Sequence, residues 1–222
     1  MKLEAQLFTL PSLLRHSKFD LMADPTVYII DDDEAVRDSI KELVKSVNLN
    51  AEIFMSANSF LDIYTADKVG CLVLDVRMAR MSGLVLQKRL NEMDATLPII
   101  FITGHGEVDM AVEAVKSGAV DFIQKPYHEQ SLLDSINAAL ELDARNRNKN
   151  QQADALEQHR AELTTREREV MDLLLQGQTN KLIAKSLGIS PRTVEAHRQH
   201  ILKKYNVNSV TQLMYLLNQP VS

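Results

Sequence analysis

The segment VYIIDDDEAVR, residues 27–37, contains the pattern that decides the fold. A short apolar run ends at three consecutive aspartates, and apolar residues with helical spacing follow. This order recurs along the first part of the chain, with apolar runs at Thr26–Ile30, Ala51–Phe54, Cys71–Leu74, Pro98–Ile102 and Asp121–Ile123. Five strands that alternate with helices predict an α/β fold, a (βα)5 doubly wound parallel sheet with its ligand site at the carboxyl ends of the strands.

The remaining pattern predicts helices, a linker and a second domain. Helical spacing occurs at Val36–Val47, at Met110–Val115 and from Glu129 to Leu140, and again in four segments at Glu167–Gln176, Asn180–Leu187, Pro191–Tyr205 and Val210–Asn218. Between Ala144 and Glu162, Asn, Gln and charged residues predominate without Gly or Pro, which predicts a partly helical linker. We therefore predict an N-terminal extension (1–24), an α/β domain (25–143), a linker (144–162) and a small all-α domain of four helices (163–222). The extension is either a short amphipathic arm or lies upstream of a natural start at Met22.

Composition and charge narrow the class of protein. The chain has 222 residues, of which 45% are hydrophobic and 25% charged, so collagen-like, mucin-like and fully disordered chains are excluded. Residues 1–160 hold 17 Lys and Arg against 25 Asp and Glu, whereas residues 161–222 hold 8 against 5. The basic second part favours nucleic-acid binding. A single cysteine, Cys71, and no apolar stretch of membrane-spanning length lead us to expect a cytoplasmic protein that does not enter a membrane.

Acidic side chains follow two of the predicted strands. Asp31 and Asp32 come directly after the first strand, and Asp75 follows the third. Because parallel strands end at the same edge of a sheet, we expect the three carboxylates to converge. Their mutual repulsion is removed by a divalent cation with oxygen ligands, most naturally Mg²⁺. Asp33, by contrast, is predicted to cap the helix that begins near Ala35.

A hydroxyl and an ammonium group follow the last two strands. Thr103 ends the fourth strand in FITGHGE, and Lys125 ends the fifth in FIQKP. Both groups can bind phosphoryl oxygens through charge-assisted hydrogen bonds. A carboxylate nucleophile, a metal ion and a cation at one sheet edge together predict phosphoryl transfer to an aspartate.

The all-α domain contains the pattern of a helix-turn-helix. In NKLIAKSLGISPRTVEAHRQHILKKY, residues 180–205, a short helix ends at Gly188, Ser190 can cap the next helix, and Pro191 suits its first turn. Six basic residues within 179–204 accompany a single acidic one, Glu195. Turn chemistry, a long second helix and basic charge together favour DNA binding.

Residues 26–140 resemble the receiver domain of two-component response regulators. VYIIDDDEAVR, LVLDVRMARMSG, FITGHGE and GAVDFIQKP are similar to its FixJ-like branch. The resemblance implies that Asp75 is the phosphoacceptor, that Asp31 and Asp32 hold Mg²⁺ together with Asp75 and the backbone carbonyl of Arg77, and that Thr103 and Lys125 bind the phosphoryl group. It also implies a cis bond before Pro126. Ala79 departs from the family, which usually has proline there.

The same resemblance implies how phosphorylation is transmitted. Phe122 occupies the family's aromatic switch position, three residues before Lys125. In the family the equivalent of Thr103 moves toward the phosphoryl group and the aromatic ring fills the space, which remodels the surface formed by the last strand and the helices on either side of it. The two states form one bistable element.

Residues 163–217 resemble the LuxR-type (NarL/FixJ) DNA-binding domain, and LTTREREVMDLLLQGQTNKLIAKSLGISPRTVEAHRQHILKKY carries the likeness. The resemblance implies that residues 191–205 form the recognition helix. Glu195 and Gln199 are candidates to read base edges, whereas Arg192, Lys203 and Lys204 suit phosphates. The full set of candidate DNA contacts is Lys181, Arg192, Thr193, Glu195, Ala196, Arg198, Gln199, Lys203 and Lys204.

The predicted protein is a transcription factor, not an enzyme in the usual sense, that a sensor histidine kinase phosphorylates on Asp75. Phosphorylation would promote homodimerisation and binding to a two-fold promoter site, with RNA polymerase as a further candidate partner. Dimerisation and release of an inhibited recognition helix both remain open as the main output. Two rivals are a Mg²⁺-dependent phosphohydrolase, which would need a substrate pocket and a general acid near Asp75, and a DNA-binding protein with a degenerate receiver, which would be expected to lose one of the site residues.

Overall fold

The computed structural model describes residues 24–104 and 116–218 and divides the chain into two compact units, one up to Asp143 and one from Ala144 onward. The residues predicted as an N-terminal extension and the helical stretch at Met110–Val115 lie outside the described residues. No helix within the described residues is long and apolar enough to cross a membrane.

The first unit contains a five-stranded parallel sheet. Its strands are β1 (Thr26–Ile30), β2 (Asn50–Phe54), β3 (Gly70–Asp75), β4 (Ile99–Thr103) and β5 (Asp121–Gln124). They are ordered β2-β1-β3-β4-β5, and every neighbouring pair is parallel. The predicted α/β fold with five strands is confirmed, and each strand boundary lies within one residue of the predicted one.

Alternation along the strands separates two apolar cores, one on each face of the sheet. On β1, Tyr28 and Ile30 face one core and Val27 and Ile29 the other. The first core is covered by α2 (Ala57–Leu61) and α3 (Gly83–Glu92). The second is covered by α1 (Glu34–Ser46) and by the first part of α4 (Glu129–Ala161). Burial of β3 and β4 on both faces explains their near-continuous apolar sequences.

Helix α4 is longer than the sequence predicts. It runs without a break from Glu129 to Ala161, so the segment predicted as a partly helical linker is helical up to its penultimate residue. The absence of Gly and Pro leaves nothing in the sequence to end it earlier. Near its end, Leu156 packs against the core of the second unit, which explains why a largely polar helix remains ordered there.

The second unit begins within α4, at Ala144, and contains four further helices after the end of α4. These helices are α5 (Thr165–Leu175), α6 (Asn180–Leu187), α7 (Pro191–Lys204) and α8 (Val210–Asn218). The predicted turn is present: Gly188 caps α6 with a φ of 66°, and Ser190 caps α7 through its hydroxyl, ahead of Pro191 in the first turn. The core of this unit includes Val170, Ile183, Val194, Ile201 and Leu213.

Candidate functional site

Two buried carboxylates meet one ammonium group at the carboxyl edge of the sheet. The Lys125 Nζ lies 2.8 Å from Asp31 Oδ2 and 2.8 Å from Asp75 Oδ1. Asp31 is 3% exposed and Asp75 is 8% exposed. Residues that are 50 and 94 positions apart from Lys125 in the chain thus form one cluster, because β1, β3 and β5 all end at this edge.

Backbone N–H groups hold the other carboxylate oxygens. The Asp33 N–H donates to Asp31 Oδ1 at 2.9 Å, and the Arg77 N–H donates to Asp75 Oδ2 at 2.7 Å. Asp32 is more exposed, and its Oδ2 accepts the N–H of Ala79 at 2.9 Å. The loops after β1 and β3 are therefore joined through the acidic side chains themselves.

The departure at position 79 has a direct structural consequence. Proline has no N–H, so the hydrogen bond from Ala79 to Asp32 exists only because this chain lacks the usual proline. The next residue but one, Met81, is almost completely buried and anchors the loop in the core. The loop after Asp75 is thus held both by buried apolar side chains and by hydrogen bonds that include the one to Asp32.

The pKa values of Asp75 and Lys125 are both raised, for different reasons. Burial raises the pKa of the Asp75 carboxyl group, the Asp31 charge adds to the rise, and the bonds from Lys125 and the Arg77 N–H only partly oppose it. Burial alone would lower the pKa of Lys125, but its hydrogen bonds to Asp31 and Asp75 outweigh that effect and raise it. One ammonium group between two buried carboxylates leaves an excess of negative charge at the cluster.

The donor set suits a hard divalent cation in type and charge. Asp31, Asp32 and Asp75 supply carboxylate oxygens, the ligands that Mg²⁺ prefers. As the side chains stand, no group of three or more His, Cys, Asp or Glu in residues 24–104 and 116–218 forms a metal site. The Lys125 ammonium occupies the space between two of the acidic groups and neutralises part of their charge.

Thr103 provides a buried hydroxyl at the end of β4. The residue is 2% exposed, and its Oγ1 has no hydrogen-bond partner within the described part of the chain. Its carbonyl accepts the N–H of Lys125, whose peptide bond to Pro126 is cis, as the resemblance implies. A buried hydroxyl without a partner is costly and fits a site that receives an external oxygen acceptor.

Phe122 lies in the adjacent strand and is half-buried. Its ring centroid is 6.2 Å from that of Phe101, at a tilted angle, and both belong to the core on the α3 side of the sheet. The core thus encloses the Phe122 ring only in part.

Two residues that support the site were not identified from the sequence. The Arg37 Nη1 donates to the backbone carbonyl of Asp31 at 2.8 Å. At Gly83, an added Cβ would lie 2.4 Å from the Asp75 carbonyl oxygen, so only glycine allows the first turn of α3 to lie this close to the loop after Asp75. For Gly83, the available sequence signal was the MSG of the motif after Asp75. For Arg37, the signal was its position one helical turn after the start of α1.

In the second unit, one face of α7 is open to solvent. Arg192, Ala196, Gln199 and Lys203 are exposed, and their spacing of four, three and four residues places them on one side of the helix, with Thr193 exposed beside them. Val194 and Ile201 face the core. Lys181 is exposed near the start of α6.

Three of the predicted contact residues are less accessible. Arg198 is half-buried, and Glu195 is half-buried with its Oε2 accepting the Asn180 Nδ2 at 2.6 Å. The Lys204 Nζ donates to Glu167 Oε2 at 2.7 Å and to the Glu162 carbonyl at 2.8 Å. Lys204 is thus engaged within its own unit, unlike its exposed neighbour Lys203.

Comparisons with known families match both units. Residues 27–137 match the response regulator receiver domain, and residues 161–217 match the luxR family of bacterial regulatory proteins. The chain therefore belongs to the two-component response regulators that carry a LuxR-type DNA-binding domain. Members of this family are transcription regulators and not classical enzymes, their receivers typically use Mg²⁺, and the two domains imply a sensor kinase and DNA as partners.

Individual relatives extend the match to most of the chain. The response regulator protein TodT of Pseudomonas putida is 44% identical over 188 residues, which cover 85% of this chain and 83% of TodT. The transcriptional regulatory protein TdiR of Thauera aromatica is 45% identical over 192 residues, covering 86% and 85%. The solved structure of the response regulator StyR has a TM-score of 0.84 at 43% identity, covering 89% of this chain and 100% of StyR. Full-length FixJ from B. japonicum has a TM-score of 0.54 at 39% identity, covering 86% and 95%.

Proposed function

We propose that Asp75 accepts a phosphoryl group from the phosphohistidine of a sensor kinase, and that this modification controls DNA binding by α7. The observation that carries the proposal is the Lys125 ammonium bonded to both Asp31 and Asp75 at the carboxyl edge of the sheet. A structural ion pair would need one carboxylate, whereas this arrangement holds two beside an exposed third, Asp32.

The site residues have separate roles in this transfer. A carboxylate oxygen of Asp75 attacks phosphorus while the bond to the kinase histidine nitrogen breaks. Lys125 and the Thr103 hydroxyl donate hydrogen bonds to the phosphoryl oxygens. Asp31, Asp32, Asp75 and the backbone carbonyl of Arg77 would hold Mg²⁺, which supplies positive charge to the transferring group.

The output proceeds through Thr103 and Phe122. A bond from the Thr103 hydroxyl to the phosphoryl group satisfies an oxygen that is otherwise buried without a partner among the described residues. The half-buried Phe122 ring, 6.2 Å from the ring of Phe101, would repack in response. The result is a homodimer whose two recognition helices bind a two-fold promoter site with half-sites about 10 base pairs apart, or a multiple of that, and RNA polymerase is a partner at that promoter.

Helix α7 is the proposed recognition helix. Gln199 and Glu195 read base edges, although Glu195 must share its carboxylate with Asn180. Phosphates are held by the exposed basic residues Lys181, Arg192 and Lys203 and by the half-buried Arg198, with Thr193 and Ala196 completing the contact face. Beside Lys203, a hollow of about 390 Å³ is lined by both polar and apolar side chains, among them Asn206, Asn208 and Val207.

The transfer is tested by incubating the full-length chain with Mg²⁺ and a small acyl phosphate and measuring its intact mass. Wild type should gain one stable phosphoryl group, and Asp75→Ala should gain none. Asp33→Ala is the matched control, because Asp33 caps α1 and should leave labelling intact. Rapid turnover of the acyl phosphate without an adduct would instead support a phosphohydrolase, and an unlabelled wild type would support a degenerate receiver.

The DNA contacts are tested through salt dependence. Arg198→Ala should weaken binding to duplex DNA and reduce the slope of log K against log salt by about 0.9, the contribution of one phosphate contact. A slope equal to that of wild type would remove Arg198 from the phosphate contacts. Lys45→Ala, an exposed change on α1, should leave both quantities unchanged.

A further inference from the structure

Two adjacent lysines end the recognition helix, and the structure gives them different surroundings. Lys203 is exposed on the same face as Arg192 and Gln199. The Lys204 side chain is 29% exposed and its ammonium group reaches Glu167 at 2.7 Å and the carbonyl of Glu162 at 2.8 Å. Sequence alone groups these lysines as phosphate contacts, but only one of them presents a free face.

Glu167 is a buried carboxylate with three hydrogen-bond donors on one of its oxygens. It is 4% exposed, and its Oε2 accepts the Thr164 N–H at 2.9 Å, the Thr164 hydroxyl at 3.0 Å and the Lys204 ammonium. The bond from the Thr164 N–H belongs to the capping box that begins α5, in which the Glu167 N–H donates back to the Thr164 hydroxyl at 3.2 Å. A buried carboxylate requires such partners, and removal of the Lys204 ammonium leaves His200, whose Nδ1 lies 3.7 Å from Glu167 Oε1, as the neighbouring basic side chain among the ion pairs of the described residues. The ion pair therefore fixes the carboxyl end of α7 to the amino end of α5.

The recognition helix has a second attachment nearer its start. Asn180 of α6 donates to Glu195 at 2.6 Å, nine residues before Lys204. With a rise of about 1.5 Å per residue, the two attachments lie roughly 13 Å apart along the helix axis. The exposed residues Ala196, Gln199 and Lys203 lie between them, so loss of either attachment allows the contact face to tilt.

We propose that Lys204 is a positioning residue for DNA recognition: through Glu167 and the Glu162 carbonyl it fixes the carboxyl end of α7, and it does not contact a phosphate. The proposal rests on the assignment of α7 as the recognition helix. Glu167, in the first turn of α5, is the second residue of this ion pair and has the same positioning role. Lys203 supplies the phosphate contact at this end of the helix.

The experiment compares Lys204→Met with Lys203→Met in the full-length chain. The probe is a labelled duplex of about 30 base pairs, long enough for two half-sites and enriched from a random-sequence pool by wild-type protein treated with acyl phosphate. Affinity is measured by fluorescence anisotropy from 50 to 200 mM salt, at a temperature where circular dichroism shows every variant folded. Lys204→Met should bind about tenfold more weakly with the wild-type salt slope, whereas Lys203→Met should lower the slope by about 0.9.

Three outcomes would overturn the proposal. A slope for Lys204→Met reduced as far as that of Lys203→Met would make Lys204 a phosphate contact. Unchanged affinity in the folded variant would reduce the ion pair to a purely structural role. In the double variant Glu167→Gln/Lys204→Met, the buried charge is absent and the fold should recover, but DNA affinity should stay low; full recovery of affinity would contradict positioning by the pair.

Two further variants complete the test. Lys204→Arg keeps a cation at the same point and should retain most of the affinity. If Lys203→Met and Arg198→Ala both leave the slope at the wild-type value, the assignment of α7 as the DNA-binding helix fails, and that failure is distinct from failure of the Lys204 proposal.

Discussion

Each unit of the chain places a lysine beside a buried carboxylate, but the pKa is raised in one of these carboxylates and lowered in the other. Lys125 is shared between Asp31 and Asp75, and the pKa of Asp75 is raised, chiefly by burial. Burial also opposes ionisation at Glu167, but Lys204 and the two donors of Thr164 overcome it and lower the pKa of Glu167 to about 2. The distance from ammonium to carboxylate is nearly equal in the two sites.

The difference lies in how many donors each carboxylate receives. Glu167 has three donors to one oxygen and no acidic neighbour among its hydrogen-bond partners. Asp75 accepts one backbone N–H and the Lys125 ammonium, and it shares that ammonium with a second carboxylate, Asp31. A carboxylate whose charge is balanced by several donors stabilises a fold. A carboxylate with fewer donors and an acidic neighbour can instead bind a cation or react with an electrophile.

The largest expected effect is the loss of coupling between phosphorylation and DNA affinity when Lys125, the lysine shared by Asp31 and Asp75, is replaced. Lys125→Ala should retain part of the phosphoryl uptake, since Asp75 remains, but it should lose the coupling of phosphorylation to DNA affinity. Couplings of this kind are typically about 5- to 150-fold, and here the gain should fall close to one. The measurement is DNA affinity by anisotropy with and without acyl phosphate, beside intact mass. An undiminished gain in affinity would mean that Lys125 does not take part in the switch.

A smaller effect is expected at Glu167, and it depends on pH. Because the pKa of Glu167 falls from 4.5 to about 2 on folding, its stabilisation is present above pH 4.5 and is lost as the pH falls through about 2. We expect Glu167→Gln to cost about 1–2 kcal/mol at pH 7, less than the full shift would give because Lys204 is partly exposed. Urea unfolding of the full chain, followed by helical circular dichroism, should show the two proteins converging near pH 2. A difference that persists unchanged at pH 2 would assign the stabilisation to packing.

An effect on stability of similar or smaller size concerns the helix caps of the two units. Asp33 caps α1 through its side chain and Thr164 caps α5, so replacement of either by alanine should cost about 1 kcal/mol. Thr164→Ala also removes a hydroxyl donor from Glu167 and should cost roughly 0.5–1 kcal/mol more. The same urea experiment measures both values. Equal costs would show that the Thr164 hydroxyl contributes nothing to the Glu167 ion pair.

The sequence predicted most of the sheet and the acidic cluster because both follow from strand order. Short apolar runs that end in Asp31, Asp75 and Thr103 place these residues at one edge in any parallel sheet. The extent of α4 was less predictable, since a polar segment without breakers is compatible with both helix and coil until Leu156 finds a partner. The surroundings of Lys204 were also beyond the sequence, because its partner Glu167 lies 37 residues away on another helix.

The close approach of Gly83 to the Asp75 carbonyl means that the loop after Asp75 depends on backbone conformation as well as on its side chains. The Gly83 N–H donates to the Val76 carbonyl at 2.9 Å, and its missing Cβ leaves space for the Asp75 carbonyl. A methyl group at this position would force the peptide after Asp75 to shift while every side chain of the acidic cluster stayed intact. In a saturation library selected for signalling, this glycine should therefore be as intolerant of substitution as the aspartate it adjoins, although it contributes no side chain to the reaction.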